Sequence, residues 1–172
     1  MKKTILRYGL ISGLIASVLM FGTALYYRNA QDYNFSAVYG YVCILLSMLF
    51  VFFGIRSYRD NVAAGSISFG RAFQVGIIIT VISCICYVIT WLIVYETIMP
   101  DFMERYMSHA LEQMRQSGAT AAEISDQSKK MEEFKVMYQN PVTRFGLTFL
   151  EPFPVGFLVT LISAIALRRK TA

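Results

Sequence analysis

Four long apolar runs limit what this chain can fold into more than any other feature of its sequence. The runs cover about residues 5–27, 35–55, 72–94 and 142–167. Each is long enough to cross a bilayer as an α-helix, because a helix rises about 1.5 Å per residue and the hydrocarbon layer is ~30 Å thick. The strands of a membrane β-barrel would alternate polar and apolar residues, and these runs do not. The sequence therefore predicts an all-α polytopic membrane protein with four transmembrane helices.

The composition agrees with residence in a membrane and excludes several other classes of protein. Hydrophobic residues make up 56% of the 172 residues and charged residues only 16%, whereas soluble domains carry roughly 25% charged residues. This excludes a cytosolic enzyme, a disordered tail and a disulfide-stapled secreted domain. The net charge of +5 does not predict nucleic-acid binding, because no basic patch is interleaved with stacking aromatic residues. No internal repeat or linker divides the chain, so we expect a single membrane domain over residues 1–172.

The basic residues are concentrated next to the short connections and the termini. Short connections rich in Lys and Arg stay in the cytoplasm, whereas long ones cross the membrane largely regardless of charge. We therefore predict that both termini are cytoplasmic and that the long third connection lies outside. Arg59 and Arg71 could bind lipid phosphates, or they could simply be snorkelling anchors at the interface. The flanking basic residues are Lys2, Lys3, Arg7, Arg56, Arg59, Arg71, Arg168, Arg169 and Lys170.

The long third connection has the pattern of a helical hairpin over about residues 101–139. Its first half carries an apolar stripe at helical spacing and ends at Gly118, a residue type that commonly terminates helices. Thr120 and Glu123 form a capping-box pattern, which predicts that a second helix begins here and runs to Gln139. The apolar stripe could be the core of the hairpin or a groove for a partner, since Met-rich surfaces bind adaptably. The candidate partner-binding residues are Phe102, Tyr106, Met107, Met114, Met131 and Phe134.

The fourth run contains an acidic residue next to two helix-breaking positions. Glu151 is followed by Pro152 and Pro154, and each proline removes a backbone N–H group and disfavours helix before it. The helix is therefore predicted to break or kink near the outer boundary of the membrane. A break frees carbonyl groups that need partners, and a kinked helix beside an acid could line a small aqueous pocket.

Glu151 is open to two interpretations. Polar residues inside spans are costly and are often functional, so Glu151 could be the centre of a proton- or cation-responsive intramembrane site. Gln74, in the third run, is a further candidate member of that site. Alternatively, Glu151 could be an interfacial residue that marks the true start of the fourth span and pairs with Arg144 or Lys135.

Residue types that commonly carry catalysis or bind metals are few and wrongly spaced for those roles. Cys84 and Cys86 are two residues apart and so point to nearly opposite faces of a helix, while Cys43 lies in another run. The single histidine, His109, lacks the partner spacing of a zinc site. No phosphate-binding loop, dinucleotide fingerprint or nucleophile motif occurs in the sequence. We therefore expect no metal, no cofactor and no enzymatic activity.

Small residues recur along the runs at spacings that favour close helix packing. Such residues let membrane helices approach one another where no hydrophobic force separates helix from lipid. They could close a monomeric four-helix bundle, or equally a homodimer. They include Gly9, Gly13, Ser17, Gly40, Ser47, Gly54, Gly70, Gly76, Gly156, Ser163 and Ala164.

Four runs with a long third connection, together with three short motifs, match the pattern of a group of small bacterial membrane proteins. The motifs are Gly54-Ile-Arg-Ser-Tyr-Arg-Asp60, Gly65-Ser-Ile-Ser-Phe-Gly-Arg-Ala-Phe73 with Gly76, and the segment from Glu151 to Gly156. On these features the chain resembles, over essentially its full length, the family catalogued as domain of unknown function 4199 (DUF4199). The resemblance implies a bacterial inner-membrane protein. It brings no established activity and therefore no catalytic residues.

Two functions agree with these features. The first is a structural or partner-binding module, in which the outer hairpin binds an envelope protein or a second copy of the chain. The alternative is a small transporter, or an ion- or proton-responsive channel-like unit, centred on Glu151. A transporter needs polar groups from several helices around Glu151, and the first two runs supply few of them. The sequence therefore favours the first function.

Overall fold

The computed structural model of the chain describes residues 2–29 and 37–169. These residues form seven α-helices, and among them the only β-type pairing is one isolated bridge. The helices are α1 (Lys2–Asn29), α2 (Ala37–Asn61), α3 (Phe69–Thr97), α4 (Phe102–Gln116), α5 (Ala121–Gln139), α6 (Pro141–Leu150) and α7 (Pro152–Leu167). Four segments are long and apolar enough to cross a membrane, namely Lys2–Arg28, Val38–Asn61, Phe69–Thr97 and Pro141–Leu167. The predicted all-α fold with four membrane spans is therefore confirmed.

The four spans form one bundle with two distinct ends. α1 packs against α2 and α3, and α7 packs against the same two helices. At one end, backbone hydrogen bonds of 3.1 and 3.0 Å join Ile67, between α2 and α3, to Arg169, just after α7. At the other end, Ala24 of α1 packs with Val94 and Met99, where the chain leaves α3 for the hairpin. We call the first the basic end and the second the hairpin end.

The basic end contains the start of α1, the α2–α3 connection and the end of α7. The predicted orientation requires these basic residues to lie on one side of the membrane, and the structure groups them at one end of the bundle. That this end faces the cytoplasm stays a prediction. Lys170 lies outside the described residues. The basic residues at this end are Lys2, Lys3, Arg7, Arg56, Arg59, Arg71, Arg168 and Arg169.

Large apolar side chains cover the outside of the bundle. Along α1, Leu6, Leu10, Leu14 and Val18 recur every fourth residue and are 49–65% exposed. Ile162 of α7 is 65% exposed. Contiguous apolar area on this scale is rare on soluble proteins, so these are the faces that contact lipid in a membrane.

Glycines bring the spans into close contact inside the bundle. A Cβ atom added at Gly13 of α1 would lie 2.6 Å from Cys86 Cβ of α3. One added at Gly156 of α7 would collide with Thr80 of α3. The predicted role of small residues in closing a bundle within one chain is therefore confirmed at these positions. Equally close approaches occur at Gly9, Gly54 and Gly76.

Two of the predicted packing glycines have open surroundings instead. Among the described residues, nothing outside the glycine's own helix lies within 4 Å of a Cβ atom added at Gly40 or Gly70, so the prediction of close packing within the chain is wrong there. Gly70 is exposed in the first turn of α3, and Gly40 borders a cavity. Regular spacing marks a helix face but does not show whether a neighbour covers it. Pairing of two copies as a homodimer stays a prediction.

Hydroxyl groups inside the bundle satisfy one another across helices. Ser12 Oγ of α1 donates to the Ser47 carbonyl of α2 (2.7 Å) and lies 2.9 Å from Ser83 Oγ of α3. The hydroxyls of Thr80 on α3 and Thr160 on α7 are 3.0 Å apart. An unsatisfied polar group is costly in a bilayer, so these pairs favour one arrangement of the four spans.

The helices extend beyond the predicted apolar runs. α2 continues to Asn61 rather than ending near residue 55, and Asn61 Nδ2 donates to the Ser57 carbonyl (3.0 Å) in its last turn. α1 and α3 likewise extend a few residues beyond their predicted bounds at each end. Hydropathy marks the apolar part of a helix and misses the polar turns that continue into the interface. Residue 35, the predicted start of the second span, lies outside the described residues.

The hairpin consists of the two helices that the sequence predicts. α5 begins at an intact capping box, in which Thr120 N–H donates to Glu123 Oε2 (2.8 Å) and Glu123 N–H donates to Thr120 Oγ1 (3.3 Å). Gly118, between α4 and α5, has a φ of +82°, a left-handed conformation that glycine adopts without strain. A turn separates α4 from α3, where Met99 N–H donates to the Val94 carbonyl (3.0 Å).

Candidate functional site

A cavity of about 440 Å³ lies at the hairpin end of the bundle. The six helices α1 to α6 contribute residues to its lining, together with Met99 between α3 and α4 and Glu151 between α6 and α7. Known small-molecule sites typically measure roughly 300–1,000 Å³ and have mostly apolar walls with a few placed polar groups. The cavity has the size and the lining of such a site.

The break in the fourth span places Glu151 in this cavity. α6 ends at Leu150 and α7 begins at Pro152, so the predicted interruption of the helix is confirmed. Pro152 occupies the first position of α7, where its missing N–H group costs no helical hydrogen bond, and it is fully buried. Pro154 is exposed in the same first turn of α7. The helix break next to these prolines therefore fixes the position of Glu151 between α6 and α7.

The carboxylate of Glu151 accepts a hydrogen bond from the third span. The Tyr87 hydroxyl of α3 donates to Glu151 Oε2 at 3.0 Å. Thr148, one turn earlier on α6, also lines the cavity, and its hydroxyl lies 3.4 Å from that of Tyr138 on α5. Polar groups from three helices thus border the cavity together with the acid.

The ion pairs predicted for Glu151 are not formed. Arg144 Nη1 donates to Glu96, and Lys135 Nζ lies 3.0 Å from Glu104 Oε1. The hydrogen bond with Glu104 raises the pKa of the Lys135 ammonium, which favours the charged form of that lysine. Arg144 lies seven residues before Glu151, about 10 Å along the helix axis, and the end of α3 is nearer to it. The prediction that Glu151 pairs with either cation is therefore wrong.

Aromatic rings from three helices cover the hairpin side of the cavity. Trp91 Nε1 of α3 donates to the Tyr138 hydroxyl of α5 (2.7 Å). The Trp91 ring meets Phe102 of α4 edge to face, with centroids 5.0 Å apart, and Phe102 stacks on Tyr106 at 6.1 Å. Phe134 stacks on Tyr138 at 5.7 Å. These five rings line the cavity and attach the hairpin to the third span.

The chain matches a known protein family over most of its length. The model of the family described as Protein of unknown function (DUF4199) covers residues 7–169. The chain belongs to this family. The resemblance inferred from the sequence motifs is therefore confirmed, while no curated protein and no solved structure matches the chain. The matched range contains all of the residues that line the cavity, so the cavity lies within the DUF4199 region.

The six residues predicted as a partner-binding surface fall into two groups in this DUF4199 chain. Phe102, Tyr106 and Phe134 line the cavity. A helical stripe can supply both a cavity wall and the interior of a hairpin, and residue spacing does not separate the two. The role of these six residues in binding a partner stays a prediction. The other three are half-buried in the hairpin and are not part of the cavity lining, namely Met107, Met114 and Met131.

Gln74 and the predicted lipid anchors lie at the basic end, away from Glu151. Gln74 Oε1 accepts a hydrogen bond from Arg71 Nη1 (3.1 Å), while Arg59 Nε donates to Asp60 Oδ1 (2.7 Å). Gln74 and Tyr87 are separated by about 20 Å along the axis of α3. The structure therefore does not bring Gln74 together with Glu151. Binding of lipid phosphate by Arg59 and Arg71 stays a prediction.

Three residues of the site lack an obvious signal in the sequence. Tyr87 and Trp91 lie inside the third apolar run, where a large ring is expected to face lipid or a neighbouring helix. Their i, i+4 spacing places them on one face, which is the signal that could have identified them. Tyr138 belongs to the thinner stripe of the second hairpin helix, and only its contacts with Trp91 and Thr148 show its position.

The described residues provide no evident metal centre. In residues 2–29 and 37–169, no group of three or more His, Cys, Asp or Glu side chains could hold a metal ion. Cys43, Cys84 and Cys86 are free thiols, and Cys43 borders the cavity. The arrangement around Glu151 is therefore one carboxylate in a largely aromatic and aliphatic cavity.

Proposed function

We propose that this chain is a membrane-embedded binding module that holds a small, largely apolar molecule between its hairpin and its spans. The observation that carries the proposal is the cavity of about 440 Å³ at the hairpin end. The spans that form the cavity are the part of the chain that lies in the bilayer, so molecules dissolved in the membrane are the ones that reach it. An apolar or amphiphilic ligand therefore fits it better than a hydrophilic metabolite does.

The hairpin completes the site in this proposal. Phe102, Tyr106 and Phe134 line the cavity from α4 and α5. In this proposal the hairpin therefore binds the small molecule with its inner face. The contacts of Trp91 with Phe102 and Tyr138 attach this cover to α3. An envelope protein or a second copy of the chain on the outer face is compatible with this arrangement, because Val136 of α5 is 61% exposed.

Transport is the second candidate function, and the hydrogen bond between Tyr87 and Glu151 favours it. A carrier would have to move a proton, an ion or the bound molecule past the closely packed half of the bundle, where Thr80 meets Gly156 and Thr160. Flux across proteoliposomes that contain the chain distinguishes the two functions. Ligand binding without flux supports the binding module, and flux that is lost in a Glu151→Gln variant supports transport.

Filling the cavity tests the binding module. Gly40 borders the cavity, and no described residue beyond its own helix lies within 4 Å of a Cβ atom built there. A Gly40→Leu substitution should therefore occupy the cavity without distorting α2. Gly22→Leu is the matched control, because Gly22 has equally open surroundings on α1 and is not part of the lining.

A photoreactive long-chain alcohol that carries a diazirine group is a suitable probe of this site. The probe should label peptides from α4 and α5. The part of this labelling that is suppressed by excess unreactive alcohol measures saturable binding in the cavity. We expect Gly40→Leu to reduce this saturable labelling about tenfold, which corresponds to ~1.4 kcal/mol of binding free energy. Gly22→Leu should leave it unchanged. Labelling that excess alcohol does not suppress, or an equal loss in both variants, would refute the proposal.

A further inference from the structure

We propose that the molecule held in the cavity is an amphiphilic cation, an alkyl chain that ends in a quaternary or protonated amine, with its charge beside Glu151. This inference rests on the proposed binding function and adds the chemical class of the ligand to it. Three features of the cavity lead to it: the sign of its charge, the position of that charge in the membrane, and the aromatic rings around it.

The charge of the cavity is negative, and no ion pair within residues 2–29 and 37–169 neutralises it. Among the described residues, the lining contains one carboxylate, that of Glu151, and no lysine, arginine or histidine. The two cations that the sequence offered as partners of Glu151 pair elsewhere, since Arg144 pairs with Glu96 and Lys135 with Glu104. A cationic ligand would supply the missing partner, whereas an anionic ligand would be repelled.

The carboxylate of Glu151 retains capacity to bind a ligand. Within the described residues its hydrogen-bond partner is the Tyr87 hydroxyl, which is neutral and uses only Oε2. A carboxylate offers about four acceptor positions on its two oxygens. The remaining positions, including those of Oε1, are therefore open to the N–H groups of a protonated amine, and a quaternary ammonium group would pair with the same carboxylate through charge alone.

The depth of Glu151 makes an unneutralised charge costly. α7 has 16 residues from Pro152 to Leu167, which places Glu151 about 24 Å from the basic end of the fourth span. A hydrocarbon layer ~30 Å thick that begins at Leu167, the last apolar residue of the span, extends past Glu151, and on this count we place the carboxylate inside the edge of that layer. Ionisable groups at such positions normally pair with an opposite charge, and a bound cation provides that pairing.

The aromatic lining favours a cation over a neutral polar head group. Tyr87 and Trp91 share one face of α3, and Phe102, Tyr106 and Phe134 cover the hairpin side. Ring faces attract quaternary ammonium groups, tryptophan most strongly, and several rings together form the cage that such ligands typically occupy. Aliphatic side chains of α1, α2 and α6 line the rest of the cavity, where they would contact the alkyl chain; they include Met20, Ala24, Ile44 and Leu147.

The single tryptophan of the chain makes binding measurable without a label. Trp91 is the only tryptophan among 172 residues, and it lines the cavity. The full-length protein in an uncharged maltoside detergent is titrated with octyltrimethylammonium and Trp91 fluorescence is recorded. Empty micelles that contain a tryptophan analogue give the baseline for non-specific partition. Parallel titrations use the neutral isostere with a quaternary carbon in place of nitrogen, octyl sulfate, and octylphosphocholine.

We expect octyltrimethylammonium, which has no N–H group and binds through its charge, to bind at least about tenfold more tightly than its neutral isostere, because ring faces and a carboxylate both attract a desolvated cation. Octyl sulfate should bind more weakly than either compound. Octylphosphocholine carries the same ammonium group together with a phosphate, and it should bind more weakly than the simple cation. Equal or tighter binding of octylphosphocholine would overturn the assignment to a free cation in favour of a phospholipid head group.

Substitution of the acid separates this inference from the proposed binding function. Glu151→Gln should reduce the affinity for octyltrimethylammonium about tenfold or more and change the affinity for the neutral isostere less than about twofold. Glu104→Gln is the matched control, because Glu104 is an acid at the same end that pairs with Lys135 and lies outside the lining. Glu151→Asp keeps the charge and should retain the preference for the cation. This variant provides a test of the inference if Glu151→Gln does not fold.

The outcomes distinguish the two proposals. If Gly40→Leu abolishes binding of both octyl compounds while the acid variants leave cation affinity unchanged, the cavity binds ligands but the inference about their charge is wrong. If the unchanged protein binds neither compound above the micelle baseline, the proposed binding function itself is wrong. Loss of cation preference in Glu151→Gln alone supports both proposals.

Discussion

The Tyr87 hydroxyl in α3 donates a hydrogen bond of 3.0 Å to Oε2 of Glu151 at the break between α6 and α7. This contact joins the third and fourth spans beside the cavity. A buried or membrane-embedded carboxylate is costly unless a polar partner reaches it, and Tyr87 supplies one without adding charge. The same face of α3 carries Trp91, so the acid and the aromatic wall border one cavity.

Removal of the Tyr87 hydroxyl should loosen the junction of the third and fourth spans. Tyr87→Phe keeps the ring in place and deletes the hydrogen bond to Glu151. We expect the free energy of unfolding to fall by about 1 kcal/mol, within the range of a typical intramolecular hydrogen bond and of polar contacts between membrane helices. Unfolding by sodium dodecyl sulfate in mixed micelles, followed by far-UV circular dichroism, measures this change.

Tyr39→Phe is the control for the loss of a tyrosine hydroxyl in this background. Tyr39 lies in α2 and is 51% exposed, so its hydroxyl contributes little to the packing of the spans. An equal loss of stability in both variants would show that the Tyr87–Glu151 contact does not stabilise the bundle.

Close packing of α1 on α3 should make Gly13 intolerant of even one added carbon. A Cβ atom at Gly13 would lie 2.6 Å from Cys86 Cβ and 2.8 Å from its sulfur, so α1 or the cysteine must move. We expect Gly13→Ala to destabilise the protein by ~1–3 kcal/mol, as overpacked cores do. Gly22→Ala on the same helix meets no neighbour in the part of the chain that the structure describes and should be neutral or slightly stabilising, because alanine favours helix. Similar unfolding midpoints for both variants would contradict the close approach.

Many features of the fold follow from local sequence signals. The apolar runs predict four spans because a bilayer requires about 20 apolar residues per helix. Thr120 with Glu123 and the Glu151-Pro152 pair predict a helix start and a helix break because each acts through its own backbone neighbours. The structure contains all of these features. Such signals depend on a few adjacent residues, which is why the sequence alone reveals them.

The candidate site is less predictable because it depends on which helix faces meet. The cost of an acid in a membrane marks Glu151 in the sequence, but its partner Tyr87 is 64 residues away in the chain. The expected partner Arg144 is nearer in sequence and pairs with Glu96 instead. Gly40 has the same spacing signal as the glycines that pack closely, yet it borders the cavity. Helical periodicity shows which residues share a face of one helix. It does not show which other helix packs against that face.

Acid should weaken the start of α5 through its capping box. The Thr120 backbone N–H and hydroxyl donate to the Glu123 carboxylate, and the backbone bond is the larger reason why the pKa of Glu123 lies below its ordinary value of 4.5. A lowered pKa in the folded state means that the stabilisation is present above pH 4.5 and is lost as the pH falls through the folded-state value. Amide hydrogen exchange in the first turn of α5, corrected for intrinsic rates, should therefore accelerate in acid.

Glu123→Gln tests whether this response comes from the carboxylate. Glutamine can accept the same hydrogen bonds in a capping box but does not titrate. The variant should show corrected exchange rates that do not depend on pH over the acid range. An acid response as large as that of the unchanged protein would attribute the effect to another group.

The grouping of basic residues at one end of the bundle predicts the orientation of the protein in the membrane. Single cysteines are introduced as Ser117→Cys between α4 and α5 and as Ser66→Cys between α2 and α3, after the three native cysteines have been replaced by alanine. A membrane-impermeant maleimide should label position 117 in intact cells and position 66 only after permeabilisation, because connections rich in Lys and Arg stay in the cytoplasm. Ser117 is exposed and Ser66 is half-buried, so labelling after permeabilisation also serves as the reactivity control. The reverse pattern would place the hairpin in the cytoplasm and overturn the orientation inferred from charge.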